Sequence, residues 1–306
     1  NIATQQFEKD DVAVYLSGNF PLVQVLTEAL ARDKKRRMAE KGEKIAIGTA
    51  RSEVKAFIQM IHHYRDTCLE GTKVVDGRIV ADEEYFLNPK NLKKSFVPVD
   101  HVAIFDEAQR AWTKDALANF MNRKKGYPNF PYSEPEYLIS CLDRHDDWAV
   151  VVCLVGGGQE INTGEAGISE WIESLNREYK DWHVFISDRL HDAEYAAGRS
   201  LELLSEHEHV EFEPSLHLAV SMRSFRAENL AKFVHKLLDR DIEGAREAYQ
   251  TLDKYPIVLT RSLEKAKRWL KEHARGTERY GMIVSSQAER LKPLAIDVRF
   301  KPDVVH

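Results

Sequence analysis

Short apolar runs alternate with longer stretches of helical periodicity along the chain, the pattern of parallel strands joined by crossover helices. The first run, Val12-Ala13-Val14-Tyr15-Leu16, ends in Ser17-Gly18-Asn19. A helix is predicted from about Pro21, with Leu22, Val25, Leu26 and Ala29 on one face. Proline suits a helix start because its missing N–H would be unpaired there anyway. A second helix is predicted from about Ser52 through Phe57, Ile58, Ile61 and Tyr64, and a hairpin around Asp76-Gly77 within the mixed stretch Gly71–Asn91.

The run Val102-Ala103-Ile104-Phe105 reads as a second core strand and leads directly into Asp106-Glu107. Gly126, Pro128 and Pro131 mark a loop over 122–131. Ser133, with Glu136 three residues on, reads as a capping box for a helix through Asp146. A third strand, Val150–Val155, stops at three glycines; a helix over about Ile168–Tyr179 and a strand at Val184–Ile186 follow. The pattern weakens around 198–212, which sets expected domains of 1–205 and 206–306. The second is predicted to hold strands at Leu216–Val220, Ile257–Leu259 and Met282–Val284, with helices near 224–239, 241–252 and 262–274.

At 306 residues the chain exceeds one typical domain, which agrees with that division. Its 43% hydrophobic and 30% charged residues exclude disordered and fibrous classes. A net charge of -5 argues against a surface coated in positive charge, yet leaves room for one basic cleft. Cys68, Cys141 and Cys153 form no C-x-x-C pair and read as reduced thiols. No apolar run nears the ~18 residues of a membrane span, and no signal pattern opens the chain, so a cytoplasmic location is expected.

The strongest chemical signal is Asp106-Glu107-Ala108-Gln109, followed by Arg110, at the end of a buried strand. Open parallel sheets bind ligands at the carboxyl ends of their strands. In a P-loop ATPase the first such carboxylate holds Mg²⁺ and the second polarises the attacking water. The ordinary alternative is a surface helix that starts with acids, which its dipole favours. A second signal is Gly156-Gly157-Gly158-Gln159-Glu160: glycines admit close approach of a phosphate, though a plain strand-to-helix turn would use them too. The third is Ser221-Met222-Arg223, a strand end that delivers a forked cation, where a salt bridge within its own domain is the commoner use of an arginine. His62-His63, and His207 with His209, lack partners at zinc-like spacing. The run Lys34–Arg37 reads as a solvated helix end, and the five tryptophans mostly as core residues.

These segments, in this order, resemble the superfamily-one helicases, and more closely the helicase-like family catalogued as domain-of-unknown-function family 2075. Val14–Val23 looks like that family's motif Ia, Asp106–Arg110 its Walker B motif, and Val155–Gly167 its motif III. Ser221–Glu228 looks like motif IV, and Gly281–Leu291 a later signature. The resemblance implies an α/β fold of the P-loop NTPase (RecA-like) class: parallel sheets flanked by helices, the first domain nearly complete and the second partial. It also implies ATP and Mg²⁺ as cofactors and single-stranded DNA or RNA as partner.

The residue roles it implies are equally specific. Asp106 would ligate Mg²⁺ and Glu107 would be the general base, with Gly157, Gly158 and Gln109 beside the nucleotide. Gln159 would couple the γ-phosphate to nucleic acid, and Arg223 would reach the phosphate from the second domain. Ser17 and Asn19 would lie near the nucleic-acid backbone. The sequence has no G-x-x-x-x-G-K-[ST] loop, so a fragment of a longer protein is the expectation. Nucleic-acid-dependent ATP hydrolysis by a helicase-like motor is the function expected. The alternatives are an ATP-gated binding or regulatory module that does not unwind, and a degenerate scaffold.

Overall fold

The computed structural model describes residues 13–156, 164–191, 202–205, 207–217, 225–252, 256–285 and 288–296. Gly157, Gly158, Gln159 and Arg223 lie outside these residues. The chain forms two compact units that divide between His217 and Leu218.

The first unit opens with strand β1 (Ala13–Ser17), helices α1 (Phe20–Glu40) and α2 (Ile47–Phe57), strand β2 (Ile58–Met60) and helix α3 (Ile61–Leu69). The hairpin β3 (Thr72–Val75) and β4 (Arg78–Ala81), helix α4 (Glu83–Leu87) and strand β5 (Val102–Asp106) follow. Helices α5 (Lys114–Phe120) and α6 (Glu134–Leu142) precede β6 (Val150–Cys153), and α7 (Ser169–Glu178), β7 (Val184–Ile186) and β8 (Val210–Phe212) complete it.

Four strands build one parallel sheet in the order β2-β1-β5-β6. Alternation along the strands divides the core. Val14, Leu16, Ala103 and Phe105 pack with residues of α3, α5, α6 and α7. Ala13, Val102 and Ile104 pack with residues of α1 and α2. Both faces are thus covered, which is why β5 is apolar at every position but its last. Burying each of its larger apolar side chains contributes about 1.5–3 kcal/mol. The chain is therefore α/β, with a parallel sheet flanked by helices, as its pattern predicts.

Local signals hold where they are self-contained. Asn19 caps α1 by accepting from the Leu22 N–H, and Ser133 with Glu136 forms the capping box of α6. The hairpin turns at Asp76-Gly77, both with positive φ. Other expectations are corrected. The second helix is broken: Ile58–Met60 leaves the helical path and pairs with β1, because a ladder to a neighbouring strand outweighs helical periodicity in a three-residue run. Helix α6 stops at Leu142 rather than Asp146, and the stretch expected to be a loop begins with a π-turn at Met121–Lys125 that closes on Gly126. Strand β7 pairs with β8 in a separate two-stranded parallel sheet.

The second unit contains α8 (Phe225–Leu238), α9 (Ile242–Gln250) and α10 (Leu263–His273), close to the predicted spans. Asp241 caps α9, and the Phe233 and Tyr249 rings meet at 5.5 Å between α8 and α9. The strands expected at Ile257–Leu259 and Met282–Val284 do not form; Leu259 and Ile283 are fully exposed. Apolar alternation specifies a strand only where a partner ladder exists, and none pairs with them among the described residues. Of the strand expected at 216–220, Leu216 ends a 3₁₀ turn instead, and 218–220 lie outside the described residues. Among the described residues no helix is long and apolar enough to cross a membrane.

Candidate functional site

The register of β1 and β5 sets Ser17 beside Asp106 at the carboxyl end of the sheet. Ser17 is buried, and its hydroxyl donates to Asp106 Oδ2 at 3.2 Å while accepting the Asn19 N–H at 3.1 Å. Tyr15, two residues before Ser17 and on the same face of β1, also hydrogen-bonds Asp106. Its phenol is pushed well above the ordinary tyrosine range, first by burial, then by the Asp106 charge and hydrogen bond and by the Glu107 charge. Two hydroxyls on one strand therefore orient the first carboxylate of the pair.

Immediately after Asp106 the backbone turns sharply. Glu107 has φ 54° and ψ 47°, the left-handed region that costs a non-glycine residue about 1–2 kcal/mol. Three contacts hold the turn: the Ala108 N–H donates to the Leu154 carbonyl at 2.9 Å, the Arg110 N–H to the Glu107 carbonyl at 2.9 Å, and the Trp171 indole N–H to the Ala108 carbonyl at 2.9 Å. A non-glycine residue held in this region marks a place where packing has overridden local preference, as functional sites often do.

Gln109 links the pair to the segment after β6. Its carboxamide donates to Glu107 Oε2 at 2.7 Å and accepts the Gly156 N–H at 3.3 Å, with the side chain buried. The far side of the glycine-rich segment is laced to the same turn. The Thr113 N–H donates to the Gly164 carbonyl at 2.9 Å, and Ala166 N–H to the Ala111 carbonyl at 2.7 Å. The Gly167 N–H reaches the Gln109 carbonyl at 3.1 Å, and Arg110 pairs with Glu165 at 3.2 Å.

A buried ion pair anchors the turn from behind. Arg65 on α3 meets Glu134 of α6 at 3.2 Å, and Glu134 Oε2 accepts the Trp112 N–H at 3.0 Å. The guanidinium also lies over Phe120 and Trp112, 5.0 and 5.9 Å from the ring centroids.

Ser17, Asn19, Asp106, Glu107 and Gln109 are thus brought to one end of the sheet, with Gly156 at its margin. Asn19 sits there as a helix cap. Gly157, Gly158, Gln159 and Arg223 lie outside the described residues. Tyr15, Trp171 and the Arg65–Glu134 pair are contributors that the motif reading passed over. The two-residue spacing of Tyr15 and Ser17 was the one signal that pointed to any of them, since it puts both on one strand face.

Elsewhere, His101, His145 and Asp147 cluster at the opposite end of β5 and β6. The two imidazoles stack at 3.9 Å and 32°, each with a nitrogen on a backbone carbonyl. One nitrogen of each ring is therefore already engaged by the backbone.

A family model described as the Schlafen group 3 DNA/RNA helicase domain matches residues 1–305. No curated protein and no solved structure matches the chain. The helicase-domain character that the motifs suggested over nearly the whole chain thus holds, and the chain belongs to the Schlafen group 3 DNA/RNA helicase domain family.

Proposed function

We propose that this chain is the ATP-hydrolysing part of a nucleic-acid-dependent motor of the superfamily-one type, built on RecA-like units. The observation that carries the reading is the Asp106-Glu107 pair at the carboxyl end of a central parallel strand, each carboxylate held by its own hydrogen-bonding partner.

The residues present suit an oxygen-ligated divalent cation. An ionised carboxylate has about four lone-pair sites, and Ser17 and Tyr15 use two of them on Asp106. The remainder offers hard oxygen ligands of the kind Mg²⁺ takes. Bound there, the ion would supply charge neutralisation at the phosphates of ATP.

Glu107 accepts the proton of the attacking water in this reading, and Gln109 fixes the carboxylate that does so. Gly157 and Gly158 would let the backbone approach the nucleotide, with Gln159 near its γ-phosphate and Arg223 supplying a cation. Asn19 and the start of α1 would face the nucleic-acid strand, while Ser17 orients Asp106.

The test is steady-state ATP hydrolysis by the full-length protein with and without single-stranded DNA and RNA. Glu107→Gln should lower turnover by about 100- to 10,000-fold, the usual contribution of a positioned general base, and leave nucleotide affinity in place. Turnover equal to wild type would refute the role of Glu107. Hydrolysis that neither nucleic acid stimulates would refute the motor.

A further inference from the structure

Two of the three cysteines meet inside the first unit. Cys68 stands in the last turn of α3 and Cys141 in the last turn of α6. Polar contacts fix the two helices on either side of them. The Tyr137 hydroxyl donates to the Arg65 carbonyl at 3.4 Å, and Arg144 Nη1 donates to the Cys68 carbonyl at 3.0 Å. Tyr137 and Cys141 are four apart on one face of α6, with Arg144 just past its end; Arg65 and Cys68 are three apart on one face of α3. Cys141 therefore faces the turn of α3 that Arg65 and Cys68 share, and the two sulfurs are in hydrogen-bond contact. Both belong to one buried cluster, Cys141 with no exposed surface and Cys68 with 7%.

The surroundings make the two thiols chemically different. Burial opposes a thiolate at Cys141, but the hydrogen bond with Cys68 and the Arg144 charge outweigh it and hold that thiol below its ordinary range. Cys68 is driven the other way, first by its hydrogen bond with Cys141 and then by burial. Arg144 Nη1 also donates to the Phe96 carbonyl at 2.9 Å, while Nη2 is buried with no hydrogen-bond partner. A thiol that ionises, a second thiol in contact with it and an unused donor for an oxygen carried on sulfur are what stepwise thiol oxidation uses.

We propose that Cys68 and Cys141 form an oxidation site for hydrogen peroxide, which joins them in a disulfide that ties α3 to α6. The Cys141 thiolate attacks one peroxide oxygen, the O–O bond breaks, and the hydroxide released takes up the thiol's proton and leaves as water. The Cys68 sulfur then attacks the sulfur of the Cys141 sulfenic acid, the S–O bond breaks, and the hydroxyl leaves with the Cys68 proton as a second water. Two thiols have lost two electrons and two protons, and one peroxide has become two waters. The narrow opening at Cys68 sets the rate, so oxidation should be slower than that of a free thiol in water. The bond joins the helices that carry Arg65 and Glu134, the ion pair behind the Asp106-Glu107 turn. Nothing in this inference depends on the function proposed above.

The test uses the 306-residue chain with Cys153→Ser, which removes the exposed third thiol. Peroxide treatment followed by thiol counting in denaturant should take the protein from two free thiols to none. A peptide map should show one link between Cys68 and Cys141 at monomer mass, and dithiothreitol should restore both thiols. The urea midpoint of the oxidised first unit should rise by about 1–2 M, because closing a loop of about 70 residues removes entropy from the unfolded chain. In Cys68→Ala/Cys153→Ser the second step has no partner, so dimedone should label Cys141 as its sulfenic acid. If Cys153→Ser fails to fold, the wild-type chain is mapped in the same way and the link is read directly.

Two thiols still free under peroxide that fully oxidises glutathione would overturn the proposal. So would a disulfide between two molecules, or separate oxidation of each cysteine to its sulfonic acid with no link. A linked protein whose urea midpoint is unchanged or lower would overturn it as well, because the bond would then not fit the native packing of α3 on α6.

Discussion

Replacing Arg65 by Met keeps most of the side chain's length and deletes its charge. The carboxylate of Glu134, whose side chain is 5% exposed, then lies in the core with no counterion. Glu134 is already pushed above the ordinary carboxylate range by burial, an effect that Arg65 and the Trp112 N–H partly offset. Breaking one side of such a buried pair costs about 3–5 kcal/mol, mostly the penalty of the orphaned charge. With a urea slope of roughly 2–3 kcal/mol per M, the unfolding midpoint of the first unit should fall by about 1–2.5 M. Tryptophan fluorescence reports it, since four of the five tryptophans are in that unit. Loss of the guanidinium raises the Glu134 pKa further in the folded state only. The folded chain then binds a proton that the unfolded chain does not, so the deficit should shrink as pH is lowered toward about 5. Arg65→Met/Glu134→Gln removes the orphaned charge and keeps an acceptor for Trp112, and should recover most of the loss. A double variant as unstable as Arg65→Met would refute this account and assign the cost to lost packing on Phe120 and Trp112.

Two further predictions follow the same geometry. Gln109→Leu fills similar space but loses both hydrogen bonds of the carboxamide, one of them to a charged partner at about 1.5–3 kcal/mol. Urea melts should show a modest loss in the first unit, and in the full-length protein kcat for ATP should drop with KM little changed. Asp100 is pushed up to about 6 by burial, with the charge of His101 acting the other way. A raised folded-state pKa gives stability that is complete below the unfolded value and is lost as pH rises through the folded one. Urea midpoints at about pH 4.5 and 7.5 should therefore show Asp100→Asn gaining on wild type at the higher pH.

What was legible in the sequence was local. The strand ending in Asp106-Glu107 announces itself because a strand buried on both faces needs an unbroken apolar run, and its exit into carboxylates is abrupt. The capping box at Ser133 and the turn at Asp76-Gly77 are likewise settled within four residues. The partners that orient the site are not local. Ser17 lies 89 residues from Asp106, Trp171 is 63 from Ala108, and Arg65 is 69 from Glu134. Nothing in the residue types near either end of such a contact names the other end. Strand β2 escaped for a different reason: Ile58-Gln59-Met60 continues the helical spacing of Val54 and Phe57, and only its bonds to β1 make it a strand. In the second unit the opposite error arises, since Ile257–Leu259 carries a strand's composition without a neighbour to pair with.

The left-handed backbone at Glu107 sets stability against chemistry at one position. Glycine would sit there without strain, and asparagine with little. Under selection for thermal robustness alone, substitutions at 107 would drift toward those residues and the protein would harden as it lost its second carboxylate. Glutamate at 107 is the residue that backbone sterics would not choose, so under the proposed function its retention in a lineage would be a record of use, and its replacement by glycine the first mark of a descendant kept only as scaffold.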